Sequence, residues 1–150
     1  ACLPLHRGRR AGRSVAGLVL RRLLVAILAV AAAAPSAADP HADYLLYCRG
    51  CHLHTGDAVP SANVPSLQAL APLLRSQEGR NYIVRVPGVS QTPMSDARLA
   101  AVLNWVVTNF NADAVTDGFR PYAAEEVANA RNKVLTDPLR TRAKILRNAR

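Results

Sequence analysis

The sequence predicts an all-α fold, a few helices around one small core, with a helical extension at the C-terminal end. Three observations carry this. Leu99, Val102, Leu103, Val106 and Phe110 fall at i, i+3, i+4, i+7 and i+11, a single apolar stripe along a helix over 96–110 that Ser95 caps. Asp39-Pro40 is a helix start: an acidic N-cap, then a proline whose missing N–H costs nothing at the first helical position. No segment shows the apolar–polar alternation of a half-buried strand.

The elements follow in order. Residues 40–52 read as a helix carrying Tyr44, Leu45 and Tyr47. Residues 53–66 read as loop, because Gly56, Asp57, Pro60, Ser61, Asn63, Pro65 and Ser66 all favour turns. A short helix covers Leu67 to Gln77, Glu78-Gly79-Arg80 reads as a break, and Asn81 to Val86 suits either helix or extended chain. Pro87-Gly88 reads as a turn and Val89 to Pro93 as loop, leading into the 96–110 helix. Beyond Asn111, Thr116 to Pro121 reads as a turn region, Ala123 to Leu135 as a polar helix, Asp137-Pro138 as a break and Leu139 to Asn148 as a basic helix. Tyr44 or Tyr47 is expected to meet Trp105, which would cross the first helix over the 96–110 helix.

The 150 residues suit one domain, and the formal charge of +9 is unevenly spread. Residues 1–38 hold six arginines and no acid; residues 39–150 hold 13 basic and 10 acidic residues, a net +3. That balance is too weak to argue for nucleic acid. Within it, residues 131–150 carry +6 and residues 39–130 carry −3. An acidic body with a basic arm suits an acidic partner or an anionic surface; a solvated tail wrapped on the body, anchored by Phe119 and Tyr122, is the plainer reading.

Residues 1–38 read as a secretory signal peptide. Arginines precede the apolar run Leu23 to Ala34, and Pro35-Ser36-Ala37-Ala38 supplies small residues suited to cleavage. The run is 12 residues long, short of the ~20 that a membrane-spanning helix needs, and extending it backwards would bury Arg21 and Arg22. Export to the periplasm is therefore expected, with no stable membrane span after cleavage. Removing this segment takes Cys2 with it and leaves Cys48 and Cys51 as the only cysteines.

Those two cysteines stand in Cys48-Arg49-Gly50-Cys51-His52, the C-x-x-C-H pattern of a c-type haem attachment site. The spacing has a chemical reason. On one helical turn positions 48, 51 and 52 share a face, so two thiols can bond the two vinyl groups of one haem while the histidine reaches its iron. His52 is thus the expected axial ligand. A backbone carbonyl near Pro65, passing behind the imidazole, would accept from its other nitrogen and fix the tautomer. Met94, the only methionine, lies between a Pro-Gly loop and a helix start, where a soft thioether could take the second axial position and raise the potential. His54 is too close to His52 to reach the far side of the iron, and His41 reads as a solvated first-turn residue. Arg80, Tyr82, Arg85 and Trp105 are candidates to bond the haem propionates, with surface charge the alternative for the arginines.

With Gly56, Pro65-x-Leu67 and a late Met94 ahead of a helix containing Trp105, this motif resembles the class I monohaem cytochrome c family over about residues 39–110. The resemblance implies a class I cytochrome c fold, few helices around one covalently bound haem c, with residues 111–150 as a basic, partly helical extension. It implies His/Met ligation by His52 and Met94 and single-electron carriage between redox partner proteins: a dehydrogenase as donor, an oxidase or another cytochrome as acceptor. A monomer is expected. A haem c subunit of a larger dehydrogenase or oxidase complex is the alternative. A thiol–disulfide enzyme using Cys48 and Cys51 would place the pair at the end of a strand in a βαβ unit, where this sequence reads as helix. Zinc would need four ligands, and only Cys48, Cys51 and one or two histidines lie close together. No Ser/His/Asp grouping, paired carboxylate or phosphate loop points to an enzyme.

Overall fold

Two capped helices build the core. The side chain of Asp39 accepts from the His41 N–H at 3.0 Å and starts α1, Pro40–Tyr47. Ser95 accepts from the Arg98 N–H at 3.3 Å at the head of a helix over Asp96–Phe110. The computed structural model describes residues 39–116 and 118–149; the signal-peptide reading of residues 1–38 lies outside the described residues. Among the described residues there are nine α-helices and two short 3₁₀ turns, with no strand, and all fall in one compact unit covering Ala38–Arg150. No helix among them is long and apolar enough to cross a membrane.

In chain order α1 is followed by α2 (Arg49–His52), α3 (Ala71–Leu74), α4 (Gln77–Arg85), α5 (Pro87–Ser90), α6 (Asp96–Phe110), α7 (Ala112–Thr116), α8 (Ala124–Arg131) and α9 (Pro138–Asn148). The 3₁₀ turns cover Pro60–Ala62 and Leu67–Ala69. α6 buries the predicted positions Leu99, Val102, Leu103 and Val106, together with Ala100 and Val107. α1 lies against it. Tyr44 is fully buried at the crossing, its ring centroid 5.1 Å from Trp105 and 5.4 Å from Phe110. Asp43 beside it is also buried, and Arg98 of α6 grips both of its oxygens, the Nε contact being 2.6 Å. Those bonds hold the Asp43 carboxyl below the usual carboxylate range despite its burial.

Several local expectations need correction, among them Pro87-Gly88 and the start of the loop after it, which form α5. The helix expected over 40–52 divides at Cys48, where the backbone bends and the N–H groups of Cys51 and His52 both bond the Cys48 carbonyl at 3.1 Å. The helix expected over Leu67 to Gln77 is a 3₁₀ turn followed by α3, and the next helix starts one residue after Ser76. Glu78-Gly79-Arg80 is no break: all three residues lie inside α4, which also resolves Asn81 to Val86 as mainly helical. Ser76 caps α4 by accepting from the Gly79 N–H at 3.1 Å. Glycine stands there for space, since a Cβ at 79 would come within 2.0 Å of the Leu73 carbonyl oxygen.

The C-terminal segment closes the core. α8 packs on α6 and α4, and α9 packs on α4 and α3, burying Val127, Ala130 and Ile145. α8 is shorter than expected and ends at Arg131. Tyr122 is the buried anchor and Phe119 is half-buried. The Asn104 amide brackets the Tyr122 backbone, donating to its carbonyl at 3.0 Å and accepting its N–H at 2.7 Å. Arg80, also buried, forks onto the Glu126 carboxylate at 2.7 Å through Nε and Nη2, donates to the Arg120 carbonyl at 2.8 Å and lies over the Tyr122 ring at 4.1 Å. Burial opposes the charge on Glu126, yet the bonds from Arg80 and Gln77 draw its carboxyl down to about 2.

A folded-state value below the ordinary 4.5 means that the Glu126 contribution is whole above pH 4.5 and fades as pH falls toward about 2. Glu126→Gln should therefore flatten the loss of thermal stability across that window. At neutral pH it should cost about 3–5 kcal/mol by leaving Arg80 buried without its carboxylate. Gly79→Ala should cost roughly 1–3 kcal/mol in denaturant unfolding, whereas Gly88→Ala, with open space around its Cβ, should cost nothing or stabilise.

Candidate functional site

The attachment turn grows directly out of the core. Cys48 closes α1 through its N–H to the Tyr44 carbonyl at 2.9 Å, and one turn later Cys51 and His52 fold back onto the Cys48 carbonyl. Cys48 is half-buried against the core, Cys51 is exposed and His52 is half-buried. The Tyr44 hydroxyl reaches the carbonyls of His52 at 3.0 Å and Leu53 at 2.6 Å, so one buried phenol holds the end of the turn. Burial, with Cys48 close by, pushes that phenol up to about 12, which keeps it protonated and donating.

The chain reverses at Leu53, which takes a left-handed φ of 49°. Gly56 follows at φ 82°, where a Cβ would meet the Phe110 ring at 2.8 Å. This glycine lets the loop lie on the aromatic end of α6. The returning limb of the loop is fixed to it: the Leu67 N–H and the Ser66 hydroxyl donate to the Gly56 carbonyl at 2.8 and 3.3 Å. Asn111, read from sequence only as the residue after a helix, is buried and clamps the same loop. Its amide donates to the Leu67 carbonyl at 2.8 Å and accepts the Leu70 N–H at 2.9 Å.

His52 carries the most telling chemistry. Its Nδ1 is buried and bonds no group of the protein. The carbonyl expected near Pro65 does not accept from it; Pro65 is half-buried in a loop tied instead to Gly56. Burial also holds the imidazole below its usual range, favouring the neutral ring that can ligate a metal. A half-buried imidazole kept neutral, directly after one half-buried and one exposed thiol on the same turn, fits haem. Burial, helped by Asp43 and Cys51, pushes the Cys48 thiol up to about 11, the opposite of the low-pKa thiol that a disulfide oxidoreductase needs. Among the described residues no three His, Cys, Asp or Glu side chains gather as a metal cage.

Met94 is buried just before α6 and belongs to the same core cluster as Tyr44, against which Cys48 and Leu67 pack. Trp105 is half-buried in an aromatic group, stacked on His41 at 5.0 Å and edge-on to Phe110 at 5.4 Å. His41 is thus exposed but not free in solvent. Arg80 is committed to Glu126 and Arg120, and Arg85 donates to the carbonyls of Lys133, at 2.9 Å, and Val134. Tyr82 is buried, which raises its phenol, with Arg142 acting against that rise. These three residues therefore sit at the join between α4 and the C-terminal segment.

A cytochrome c-552 of Thermus thermophilus is 32% identical to this chain over 135 residues, covering 78% of the chain and 90% of that relative. The chain belongs to the class I monohaem cytochrome c family. It is an electron-transfer protein rather than an enzyme, and its cofactor is haem c. A second cytochrome c-552 from Thermus thermophilus is 33% identical over 107 residues, 59% of the chain and 82% of that relative. No protein-family model matches the chain. The first match covers more of this cytochrome than residues 1–110 amount to, so part of the C-terminal segment lies within the matched length.

The attachment turn of the cytochrome should depend on its buried phenol. Tyr44→Phe should lower stability by about 1–2 kcal/mol in denaturant unfolding, through the unsatisfied carbonyls of His52 and Leu53. A loss below about 0.5 kcal/mol would show that the ring alone holds the turn.

Proposed function

We propose that this cytochrome carries single electrons in the periplasm through one haem, bonded as thioethers to Cys48 and Cys51, with His52 and Met94 as axial ligands. The observation that carries this reading is the turn itself: two cysteines and a half-buried histidine folded onto one carbonyl, joined to the core that buries Met94. When bound, the haem supplies an iron that changes oxidation state by one electron. The chain's part is to hold two ligands, exclude water and change little between states. Tyr44, Gly56 and Asn111 fix the turn and its loop, and the aromatic group around Trp105 stiffens the α1–α6 crossing. Pro65 and Trp105 belong to the haem surround; Tyr82 and Arg85 serve the join to the C-terminal segment.

Donor and acceptor are redox proteins, a dehydrogenase on one side and an oxidase or another cytochrome on the other, met by a monomer exported through residues 1–38. A second reading, a haem c subunit of a larger dehydrogenase or oxidase complex, is favoured by one feature. Arg140, Lys144 and Arg147 form an exposed basic face on α9, a surface suited to lasting attachment to an acidic partner.

Protein matured in a host that attaches c-type haem should show a thioether-linked haem spectrum and, when ferric, the weak charge-transfer band of a thioether–iron bond. Met94→Ala should abolish that band and lower the potential by on the order of 100 mV. A colourless matured chain overturns the haem assignment, and a band and potential that survive in Met94→Ala make Met94 a packing residue.

A further inference from the structure

The loop that presents Met94 is short of internal support. Between α5 and α6 its backbone makes a few local bonds, from Gln91 N–H to the Pro87 carbonyl at 3.2 Å, Thr92 N–H to Val89 at 3.3 Å and Met94 N–H to Thr92 at 2.8 Å. Its main support comes from 37 residues further along the chain. Arg131, the last residue of α8, lays its guanidinium across the loop and the start of α6. Nη1 donates to the Met94 carbonyl and to Asp96 Oδ1, both at 2.9 Å. Nη2 donates to the carbonyls of Thr92 at 2.8 Å and Ser90 at 3.1 Å, and Nε reaches Ser90 at 3.2 Å. Three carbonyls and one carboxylate are thus held by one rigid plane of donors, and the side chain is only 14% exposed.

We propose that Arg131 is a positioning residue for the Met94 ligand: it locks the loop so that the thioether stays presented and outside ligands are kept from its place. This rests on the reading of Met94 as an axial ligand. The physical argument is the geometry of the fork. A loop opening far enough to withdraw Met94 must break or stretch bonds to Ser90, Thr92, Met94 and Asp96 together, all made by a charged donor in a mostly buried setting. The far end of Arg131 does not give way either, because α8 is itself fastened through buried Val127 and the Glu126–Arg80 pair. Lysine, a single point charge on a flexible stem, could replace one or two of these bonds but not the set.

The test uses the full matured ferric chain, titrated with imidazole as the competing ligand and followed by loss of the thioether charge-transfer band. Arg131→Ala should bind imidazole about tenfold more tightly or better, with its thioether-linked haem spectrum unchanged. Arg131→Lys should fall between Arg131→Ala and the parent, and it decides the matter alone if the alanine variant fails to mature. Ile145→Ala provides the comparison, since it loosens α9 from α3 and α4 and removes no bond of Arg131. Imidazole binding unchanged in both Arg131 variants overturns the proposal, as does an Ile145→Ala shift as large as that of Arg131→Ala at matched loss of stability. A parent protein without the thioether band overturns the Met94 reading and this proposal with it; a parent with the band and unresponsive Arg131 variants overturns this proposal alone.

Discussion

Tyr44 joins the hydrophobic core to the attachment turn in a single side chain. Its ring is buried between Trp105 and Phe110, and its hydroxyl reaches the carbonyls that end the turn. The two roles depend on one another. Ring packing fixes where the hydroxyl lies, and the hydroxyl fixes where His52 stands relative to α6. A shift of α1 against α6 would therefore move the imidazole as well as the core. That coupling suits a protein whose redox centre must sit in a rigid frame in both oxidation states.

The rest of the molecule is fastened by buried polar clamps at a few places where helix packing alone leaves freedom. Asp43 with Arg98 sets α1 on α6, Asn104 sets the approach to α8, Asn111 sets the loop after the turn, and Glu126 with Arg80 sets α8 on α4. Each joins segments distant in sequence, and each is satisfied on both sides, the condition under which a buried polar group holds geometry without leaving an unpaired charge. The distribution of formal charge takes on meaning here. Several cations of the acidic body are consumed internally, while Arg140, Lys144 and Arg147 on α9 remain exposed.

Much of this is legible in the sequence because it depends on local rules. The α6 stripe, the caps at Asp39 and Ser95, and the Cys48-x-x-Cys51-His52 spacing each need only a few neighbouring residues to be read. The meeting of Tyr44 with Trp105 follows from two aromatic residues on predicted helices. What escapes is set by contacts across the chain. Gly79 looks like a helix breaker until the Leu73 carbonyl is seen against its Cα, and Arg131 looks like one more surface cation until the Met94 loop is found beneath it. Asn111 gives a weak signal as a polar residue closing a helix, but its partners at Leu67 and Leu70 lie more than forty residues earlier. A carbonyl near Pro65 is the partner that the sequence suggests for His52, yet its loop is drawn to Gly56 instead.

The order of these parts along the chain has a consequence for truncation. The cysteines and histidine of the turn precede α8 and α9, the helices that close the core over α4 and α6. A chain cut before Ala124 would keep its redox motif whole and leave bare the apolar faces that Val127, Ala130 and Ile145 cover. Such a fragment would be open to proteases and to self-association, because the surface that draws these helices down would have nothing else to meet.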